Sequence, residues 1–544
     1  MTSAMDRQVD AERGSISRRI FIEPEIYEKE LQQIFARCWL FLCHDSQIPR
    51  PGDFFTTYMG EDPVLVVRDS NGEVHAFLNV CRHRGNRLCR ADRGNAASFT
   101  CAYHGWTYRN DGRLTGVPYL KEAYHNELDR GRWGLVPVAQ LANYKGLWFA
   151  TFDAAAPPLR DYLGEMAWYL DTFVDRREHG IEIVATHKWV MPCNWKFPAE
   201  NFGGDAYHVP WSHLSAVATG FSSGVTTKPH TTGAMVSPGN GHVLICVGPD
   251  DVGDPPIPEV LAYEQQIRPE VEARLGPRVA RVNPLVGTLF PNFSLLRATS
   301  RTFRTWHPRG PGKTEVWSCV FVDKAAPDHI KKAIRLAGVR GFSPSGSFEQ
   351  DDMDNWQECT QTCRGVVSRG MPLNTQMGLG HDRFDPDLGA WASEFRMSES
   401  NHRQFYRRWA DLMTPVDWRE LAGAPAREKQ YIADNYATHK HPAVSRWLDR
   451  HSRFHMHYTP TSSSWMNLVE RFFRDLTEFI TEKSFASTRD LADAIIAFLA
   501  ARNENPQRYV WKAKGEDILR KIDAARQALA ALQPVSNAIS ETAH

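Results

Sequence analysis

Two short patterns of cysteine and histidine in the first fifth of the chain have the spacing of a metal-cluster site. Cys81 and His83 form a C-x-H pattern, and Cys101 and His104 form a C-x2-H pattern. Thiolates and imidazoles can bind either zinc or an iron–sulfur cluster. Zinc remains the chemical rival, but zinc sites more often contain C-x2-C pairs, and the mixed C-x-H half argues against one. The spacing therefore favours an iron–sulfur cluster.

Two thiolates and two imidazoles together describe a Rieske [2Fe–2S] cluster, in which the cysteines bind one iron and the histidines bind the other. Neutral nitrogen ligands raise the reduction potential above that of an all-cysteine ferredoxin, so we expect this cluster to receive electrons. Strand-like runs at 64–67 and 75–80 precede the first pattern, and a run at 98–100 precedes the second. Each pattern is therefore predicted at a hairpin tip, where Gly85 and Gly105 would allow tight turns.

A second group of possible metal ligands, Asp205, His208 and His213, forms a D-x2-H-x4-H pattern. A helix would place Asp205 and His208 on one face, because they are three residues apart. Pro210 would distort the following turn and could let both imidazoles converge on one ion. For an iron site that activates oxygen, the expected third ligand is a carboxylate that leaves coordination positions open.

The candidates for that carboxylate are Asp351, Asp352 and Asp354, at the start of a helical pattern. Spacing alone does not choose among them. A cluster that delivers single electrons and an open ferrous site that consumes them are complementary, so the two patterns together predict an oxygen-activating enzyme.

The composition narrows the class of protein. A chain of 544 residues predicts two or three domains. Lys plus Arg and Asp plus Glu both number 64, so no overall field favours a membrane surface, and nucleic-acid binding is not expected. The ten cysteines do not resemble a secreted disulfide framework. No apolar run approaches the roughly 18 residues of a membrane span, and the N-terminus is polar, so we expect a cytoplasmic protein without a membrane segment.

These patterns resemble the α subunits of Rieske non-haem iron aromatic ring-hydroxylating oxygenases, of the naphthalene and biphenyl dioxygenase group. The resemblance covers residues 14–421 and includes the contexts Cys-x-His-Arg-Gly and Cys-x-Tyr-His-Gly-Trp. It implies that the [2Fe–2S] cluster is bound by Cys81, His83, Cys101 and His104.

For the second site, the resemblance implies that His208, His213 and Asp352 bind a mononuclear Fe(II), and so selects one of the three aspartates. It also implies that Asp205 connects the iron site to the Rieske histidine of a neighbouring subunit, and that Asn201 lies near the iron. Asp205 would hold its histidine partners in the required tautomers.

The resemblance implies an α+β fold, with a β-rich Rieske domain and a catalytic domain whose antiparallel sheet is wrapped by helices. The implied reaction adds dioxygen to an aromatic ring to give a cis-dihydrodiol, and a Rieske monooxygenase or demethylase is the near alternative. The implied partners are a ferredoxin, a reductase fed by NADH, or both, with a small β subunit and a trimer of α subunits. The chain lacks a G-x-G-x-x-G context and a plant-type ferredoxin run, so the electron donors are expected to be separate proteins.

Four apolar residues flank the predicted iron ligands and could line a pocket for a flat aromatic substrate: Phe202, Ala206, Val209 and Phe348. Core packing explains the same residues nearly as well. None of these positions carries an arginine or lysine for an aromatic carboxylate, which favours a hydrocarbon substrate.

The last hundred residues have a different character and resemble the C-terminal part of mariner-like Asp-Asp-Glu transposases. Asp434 and Glu470 match the second and third catalytic acids, but the first acid and the helix-turn-helix region have no counterpart. We therefore expect a truncated α/β fragment that cannot cut or join DNA, fused to an oxygenase. The fusion could also disable the oxygenase, which would make the chain an inactive chimera.

The predicted organisation follows from these assignments. We expect an N-terminal helical segment at 1–37, a Rieske domain at 38–158 and a catalytic domain at 159–421. A fusion junction is expected at 422–430, the transposase-like fragment at 431–532 and a tail at 533–544.

Overall fold

The structure is a computed structural model, and it describes residues 8–222, 233–248, 257–414, 417–418, 421, 429–433, 454–458, 494–495 and 497–498. The chain divides into two compact units, Met1–Pro425 and Ala426–His544. Within the described part of the chain, no helix is long and apolar enough to cross a bilayer.

The strands of the first unit are β1 (Val9–Asp10), β2 (Ser15–Ile16), β3 (Leu40–His44), β4 (Asp53–Met59), β5 (Asp62–Arg68), β6 (Val74–Leu78), β7 (Arg93–Asn95), β8 (Ser98–Thr100), β9 (Thr107–Arg109), β10 (Leu114–Gly116), β11 (Gln140–Tyr144), β12 (Leu147–Thr151), β13 (Ile181–Met191), β14 (Ala234–Gly239), β15 (His242–Val247), β16 (Asn283–Leu289), β17 (Phe293–Arg297), β18 (Arg301–Pro308), β19 (Thr314–Asp323), β20 (Leu373–Asn374), β21 (Arg383–Asp385) and β22 (Ala390–Ala392).

Its α-helices are α1 (Pro24–Glu30), α2 (Leu159–Leu163), α3 (Met166–Val174), α4 (Lys196–Gly204), α5 (Val209–Ser212), α6 (Leu214–Ala218), α7 (Pro258–Leu275), α8 (Asp328–Phe342), α9 (Ser347–Thr362) and α10 (Ser400–Met413).

The N-terminal β-rich region consists of small antiparallel sheets. One sheet has the order β6-β5-β4-β7, another has the order β10-β9-β8, and β3 pairs with β12 beside β11. A separate apolar cluster that includes Phe54, Phe77, Trp106 and Tyr108 packs between the first two sheets. The two cysteine–histidine loops follow β6 and connect β8 to β9, and both cysteines belong to this cluster.

The catalytic region is built on one antiparallel sheet. Among the described residues it has nine strands in the order β13-β19-β18-β17-β16-β15-β14-β22-β21. Every residue of the interior strand β18 is buried, whereas most of the edge strand β13 is partly exposed. The expected α+β fold, with an antiparallel sheet wrapped by helices, is confirmed.

Helix α4 lies unusually close to the sheet and to α10, and this places the residues that follow it. A Cβ atom on Gly203 would lie 2.6 Å from Val243, and one on Gly204 would lie 2.4 Å from Asn401. Asn401 Nδ2 donates to the backbone oxygens of Gly203 (2.7 Å) and Leu244 (2.8 Å). Glycine is needed at both positions because larger side chains would push the helix away.

Helix α10 is held by an apolar face whose residues are three or four apart: Phe405, Trp409 and Leu412, all with no exposed surface. The second unit is described only in part. Its strands β23 (Lys429–Ala433) and β24 (Phe454–Tyr458) pair in parallel. Asp434 and Glu470 lie outside the described residues.

Candidate functional site

Each cysteine–histidine loop is a tight turn with the same hydrogen-bond pattern. In the first loop, Cys81 N donates to Asn86 O (2.8 Å) and Gly85 N donates to Cys81 O (3.0 Å). In the second, Cys101 N donates to Trp106 O (2.8 Å), and Gly105 N donates to the carbonyl of that cysteine (2.9 Å). Gly85 and Gly105 have φ of 72° and 73°, a left-handed conformation that favours glycine. The turns predicted at these glycines are confirmed.

The four predicted cluster ligands face one another at the ends of these loops. The Cys81 and Cys101 side chains are in contact, and each is only 2% exposed. The His83 and His104 rings lie 4.5 Å apart at 79°. His83 Nδ1 is buried without a hydrogen-bond partner, which is costly unless a ligand completes it. Two adjacent thiols and two adjacent imidazoles fit a Rieske cluster.

Hydrogen-bond donors surround the sulfur atoms. Tyr108 OH lies 3.5 Å from Cys81 Sγ, and Asn86 Nδ2 donates to Cys101 Sγ (3.5 Å). Burial raises the pKa of Cys101, but hydrogen bonds from the Tyr103 amide and from Asn86 outweigh burial and lower that pKa. Such donors stabilise anionic sulfur and raise a cluster's potential. Sequence reasoning missed both Tyr108 and Asn86.

The two histidines differ in exposure. His83 is half-buried, and its ring stacks on Trp106 with centroids 5.0 Å apart. His104 is exposed beside Tyr103, which is 65% exposed. His104 is therefore the cluster-site residue that another protein surface can reach.

The second site occupies a break between helices rather than one helix. Asp205 follows the last residue of α4, His208 precedes α5, and His213 separates α5 from α6. The expectation that Asp205 and His208 share a helical face is therefore wrong. Pro210 lies in the first turn of α5, where its missing N–H costs nothing, so it starts a short helix rather than kinking one.

Three of the predicted ligands converge. The Nε2 atoms of His208 and His213 lie 3.3 Å and 3.5 Å from the same Asp352 oxygen, Oδ1. One ligand atom from each residue lies within 4.8 Å of the others, a spacing that suits a single ion. Asp352 Oδ1 is buried and has no hydrogen-bond partner. Two imidazoles and one carboxylate are the donor set of oxygen-activating ferrous sites, so these residues fit a mononuclear iron.

Both imidazoles are oriented through their other nitrogen. His208 Nδ1 lies 2.5 Å from the backbone oxygen of Asp205, and His213 Nδ1 lies 3.4 Å from Asp351 Oδ2. Because these oxygens only accept, each Nδ1 must donate, which leaves both Nε2 lone pairs for a metal. Asn201 Nδ2 lies 3.3 Å from His208 Nδ1. The supporting role of Asp351 was not predicted.

The side-chain carboxylate of Asp205 makes different contacts with His208 from those of its backbone carbonyl. Oδ1 accepts from the His208 amide (2.9 Å) and lies 3.5 Å from His208 Nδ1. Burial raises the pKa of Asp205, but His208 and then His402 outweigh burial, and the pKa falls well below its usual value. Burial lowers the pKa of His208, but Asp205 and Asp352 raise it well above its usual value. A metal ion would displace that proton, because a ligating imidazole is neutral.

Two of the four predicted pocket residues, Phe348 and Val209, lie beside predicted iron ligands. The Phe348 ring lies 4.8 Å from the His213 ring, and Ala206 packs with Met235 and Ile245. Val209 is half-buried next to His208. Residues 223–232 lie outside the described residues.

Phe202 is buried above a guanidinium that was not predicted. Arg304 lies 4.6 Å from the Phe202 ring centroid and 5.1 Å from that of Phe342. Glu349 pairs with this arginine, so the aromatic surroundings enclose a neutral ion pair. The signal was weak, because an arginine within a strand and a glutamate within a helix both look like surface residues.

A β-rich Rieske domain and a helix-wrapped sheet that carries a two-histidine, one-carboxylate site define an oxygenase of the Rieske non-haem iron class. Residues 38–144 match the family model of the Rieske [2Fe-2S] domain, and residues 159–415 match that of the ring hydroxylating alpha subunit (catalytic domain).

Proteins of similar sequence and structure narrow the class of oxygenase. The biphenyl 2,3-dioxygenase subunit alpha of Rhodococcus jostii (strain RHA1) is 43% identical, over 76% of this chain and 92% of the relative. The benzene 1,2-dioxygenase subunit alpha of Pseudomonas putida is 40% identical, over 77% of this chain and 96% of the relative. The crystal structure of naphthalene 1,2-dioxygenase from Rhodococcus sp. bound to indole has a TM-score of 0.69 and 37% identity, over 78% of this chain and all of that one.

The chain belongs to the family of aromatic ring-hydroxylating dioxygenase α subunits. It is an oxidoreductase whose cofactors are a Rieske [2Fe–2S] cluster and a mononuclear iron. The recognition of this family from sequence is confirmed.

The C-terminal part matches a third family model, the DDE superfamily endonuclease, at residues 399–492. The predicted transposase-like character is confirmed. The match overlaps α10, whose Phe405, Trp409 and Leu412 are buried in the main apolar core of the first unit.

Proposed function

We propose that this chain is the terminal oxygenase large subunit that adds both atoms of dioxygen to an aromatic ring and yields a cis-dihydrodiol. The observation that carries the proposal is the convergence of His208, His213 and Asp352 in a chain that also has a Rieske site. The balanced reaction consumes the arene, dioxygen, two electrons and two protons.

In this proposal, Cys81, His83, Cys101 and His104 bind the cluster, and His208, His213 and Asp352 bind the iron. When bound, the two groups supply single electrons and the reductive activation of dioxygen. The protein orients the ligating nitrogens through the Asp205 carbonyl and the Asp351 carboxylate, and it leaves part of the coordination sphere open.

Asp205 is proposed to connect the iron site with a neighbouring subunit's Rieske histidine. Its carbonyl already orients His208, so its carboxylate remains available for a second imidazole at the protein surface. The exposed position of His104 at the loop tip suits that contact. Asn201, whose side-chain amide lies beside His208, is proposed to lie near the iron.

The proposed substrate is an aromatic hydrocarbon. Phe202, Ala206, Val209 and Phe348 supply apolar surface beside the predicted ligands. The cation beneath Phe202, Arg304, is already paired with Glu349 and is therefore not offered to a substrate carboxylate. Relatives named for biphenyl and benzene support the same class of substrate.

The proposed assembly is a trimer of this chain with a small β subunit, fed from NADH by a separate reductase, a ferredoxin, or both. It rests on the family membership and on relatives that are named as α subunits. We expect the C-terminal segment not to cut DNA, because the first acid of the transposase trio has no counterpart in the sequence, and not to bind transposon ends, because the helix-turn-helix region also has none.

The experiment that tests the function combines the full chain, loaded with both metals, with a compatible β subunit, reductase, ferredoxin, NADH, ¹⁸O₂ and biphenyl. We expect a cis-dihydrodiol that carries two ¹⁸O atoms. A phenol or a demethylated product with one labelled atom would favour the monooxygenase alternative. Metal-loaded protein that assembles but oxidises no arene would contradict the proposal, and a failure to assemble would identify a chimera disabled by its fusion.

A further inference from the structure

A cavity of about 260 Å³ lies among α3, α7, β16 and β17, and its lining includes none of the predicted metal ligands. Its lining has one net positive charge, from the arginines Arg176, Arg268 and Arg297 and the glutamates Glu264 and Glu272. The bound cofactors and the aromatic substrate do not explain a cationic cavity at this position.

The cationic wall belongs to a buried charge cluster. Arg176 and Arg301 both pair with Glu264, and Arg301 Nη1 lies 2.9 Å from Asp323 Oδ2. Arg297 is the remaining cation of this cluster, so the cluster has one more guanidinium than carboxylates. An uncompensated buried cation is costly, and an anion from solution would compensate it.

Arg297 is the guanidinium of this cluster without a direct ion pair, although Glu264 and Asp323 attract it through space. Its Nη2 donates to Asn283 Oδ1 and to Pro284 O (3.1 Å), which are both neutral acceptors. Its Nε is buried without a hydrogen-bond partner, and no carboxylate of the described residues forms an ion pair with this guanidinium. Burial, reinforced by the nearby Arg176 and only partly offset by Glu264, lowers the pKa of Arg297 to about 9. An anion beside the guanidinium would raise that pKa.

The rest of the cavity wall is mostly apolar. Leu261, Val271 and Leu275 line it from α7, and Val282 and Pro284 line it from the segment that enters β16. The arginine on α7, Arg268, is already paired with Glu272 (2.8 Å). A ligand that suits this cavity therefore has one anionic group and an apolar body.

We propose that this cavity binds a small organic carboxylate, whose carboxylate group accepts hydrogen bonds from Arg297 and whose apolar body packs against α7. A carboxylate matches the planar fork of a guanidinium, and the apolar wall selects against a fully hydrated inorganic anion. The site is separate from the oxygenation chemistry, and its occupancy would stabilise the folded catalytic domain.

The test measures thermal unfolding of the full metal-loaded chain at constant ionic strength with cyclohexanecarboxylate. We expect a saturable rise in Tm with one ligand per chain by calorimetry. The neutral analogue cyclohexanemethanol tests whether apolar contact alone raises the Tm. Inorganic phosphate tests whether any oxyanion, rather than a carboxylate with an apolar body, raises it. Neither compound should produce the saturable rise.

Arg297→Met should abolish the shift, and Arg335→Met, at an exposed position on α8, should leave it unchanged. Arg297→Lys keeps the charge with fewer donors and should weaken the apparent affinity by about tenfold, so the test does not depend on the folding of one variant. The proposal fails if cyclohexanecarboxylate causes no saturable shift, if phosphate or the alcohol causes the same shift, or if the Arg297 variants show the shift with unchanged affinity.

Discussion

Arg304 Nη1 lies 2.5 Å from Glu349 Oε2, and neither side chain has any exposed surface. The pair joins β18 to α9, the helix that also carries Asp352 one turn further on. Arg304 Nη2 donates to Phe342 O (3.1 Å) at the end of α8. This buried arginine therefore connects the sheet to α9 and to the end of α8.

Glu349→Gln should destabilise the protein by about 3 kcal/mol, because it leaves the Arg304 cation buried without a counterion. It should also lower mononuclear iron occupancy, since α9 positions Asp352. Urea unfolding and iron analysis measure the two effects. Glu358→Gln, at an exposed position of the same helix, is the matched control. Replacing both Arg304 and Glu349 by methionine should recover part of the lost stability, and a double variant less stable than Glu349→Gln would contradict this account.

The three aspartates at the start of α9 should differ in their effect on iron. Asp352→Ala should remove mononuclear iron, because its carboxylate faces both imidazole Nε2 atoms. Asp351→Ala should weaken iron binding by about tenfold, since it orients only His213. Asp354→Ala, at an exposed position, should change nothing. Iron content per chain measures this ranking, and the Rieske EPR signal should be retained in all three variants. Equal losses of iron in the Asp351 and Asp352 variants would contradict the ligand assignment.

Cys101→Ser should remove the visible absorption and EPR signal of the [2Fe–2S] cluster. Its thiol is buried against Cys81 and accepts from Asn86, as expected for a cluster ligand. Cys89→Ser is the control, because Cys89 is also buried in the Rieske core but its Sγ donates to Ala91 O instead. A reduced Rieske signal of full intensity in the Cys101 variant would overturn the assignment.

Local patterns carried most of the predictable information. The cluster loops could be predicted because all four predicted ligands lie in two short turns whose glycines adopt positive φ. The prediction that one helix carries both Asp205 and His208 was wrong, because α4 ends at Gly204. Close packing on α10 and a hydrogen bond from Asn401 fix the last turn of α4. Contacts between distant parts of the chain decide that boundary.

The pair Arg304–Glu349 could not be predicted for a related reason. Its members are 45 positions apart, and nothing in the local sequence marks either charge as buried. The choice of Asp352 over its neighbours likewise came from family resemblance. The helix geometry supplies the physical reason, since Asp352 is buried at 3% exposure while Asp354 faces solvent.

Asp205→Ala should retain both metals and reduce coupled turnover by at least about 100-fold. The backbone oxygen that orients His208 remains in the variant, so iron binding should persist. The carboxylate proposed to meet a neighbouring subunit's histidine is lost. Metal content, stopped-flow reoxidation of the cluster and product formation separate these effects, and normal turnover would remove the proposed role of Asp205.

His242 should make the stability of the catalytic domain depend on pH. It has no exposed surface, its Nε2 donates to Tyr162 O (3.0 Å), and its Nδ1 accepts from Phe290 N (3.0 Å). Burial lowers the pKa of His242 to about 3. Between about pH 6.5 and the folded pKa, the unfolded chain therefore binds a proton that the folded chain does not, and the free energy of unfolding falls as the pH falls.

From about pH 7.5 to about pH 5, this histidine should contribute a loss of about 2 kcal/mol. In His242→Gln, the glutamine can both donate and accept hydrogen bonds but does not titrate. The free energy of unfolding of this variant should therefore fall by about 2 kcal/mol less than that of the original protein over the same pH interval. His329→Gln, at an exposed position on α8, should follow the original protein. Urea unfolding at both pH values measures the difference, and parallel losses in the original protein and the His242 variant would show that His242 is not the titrating group.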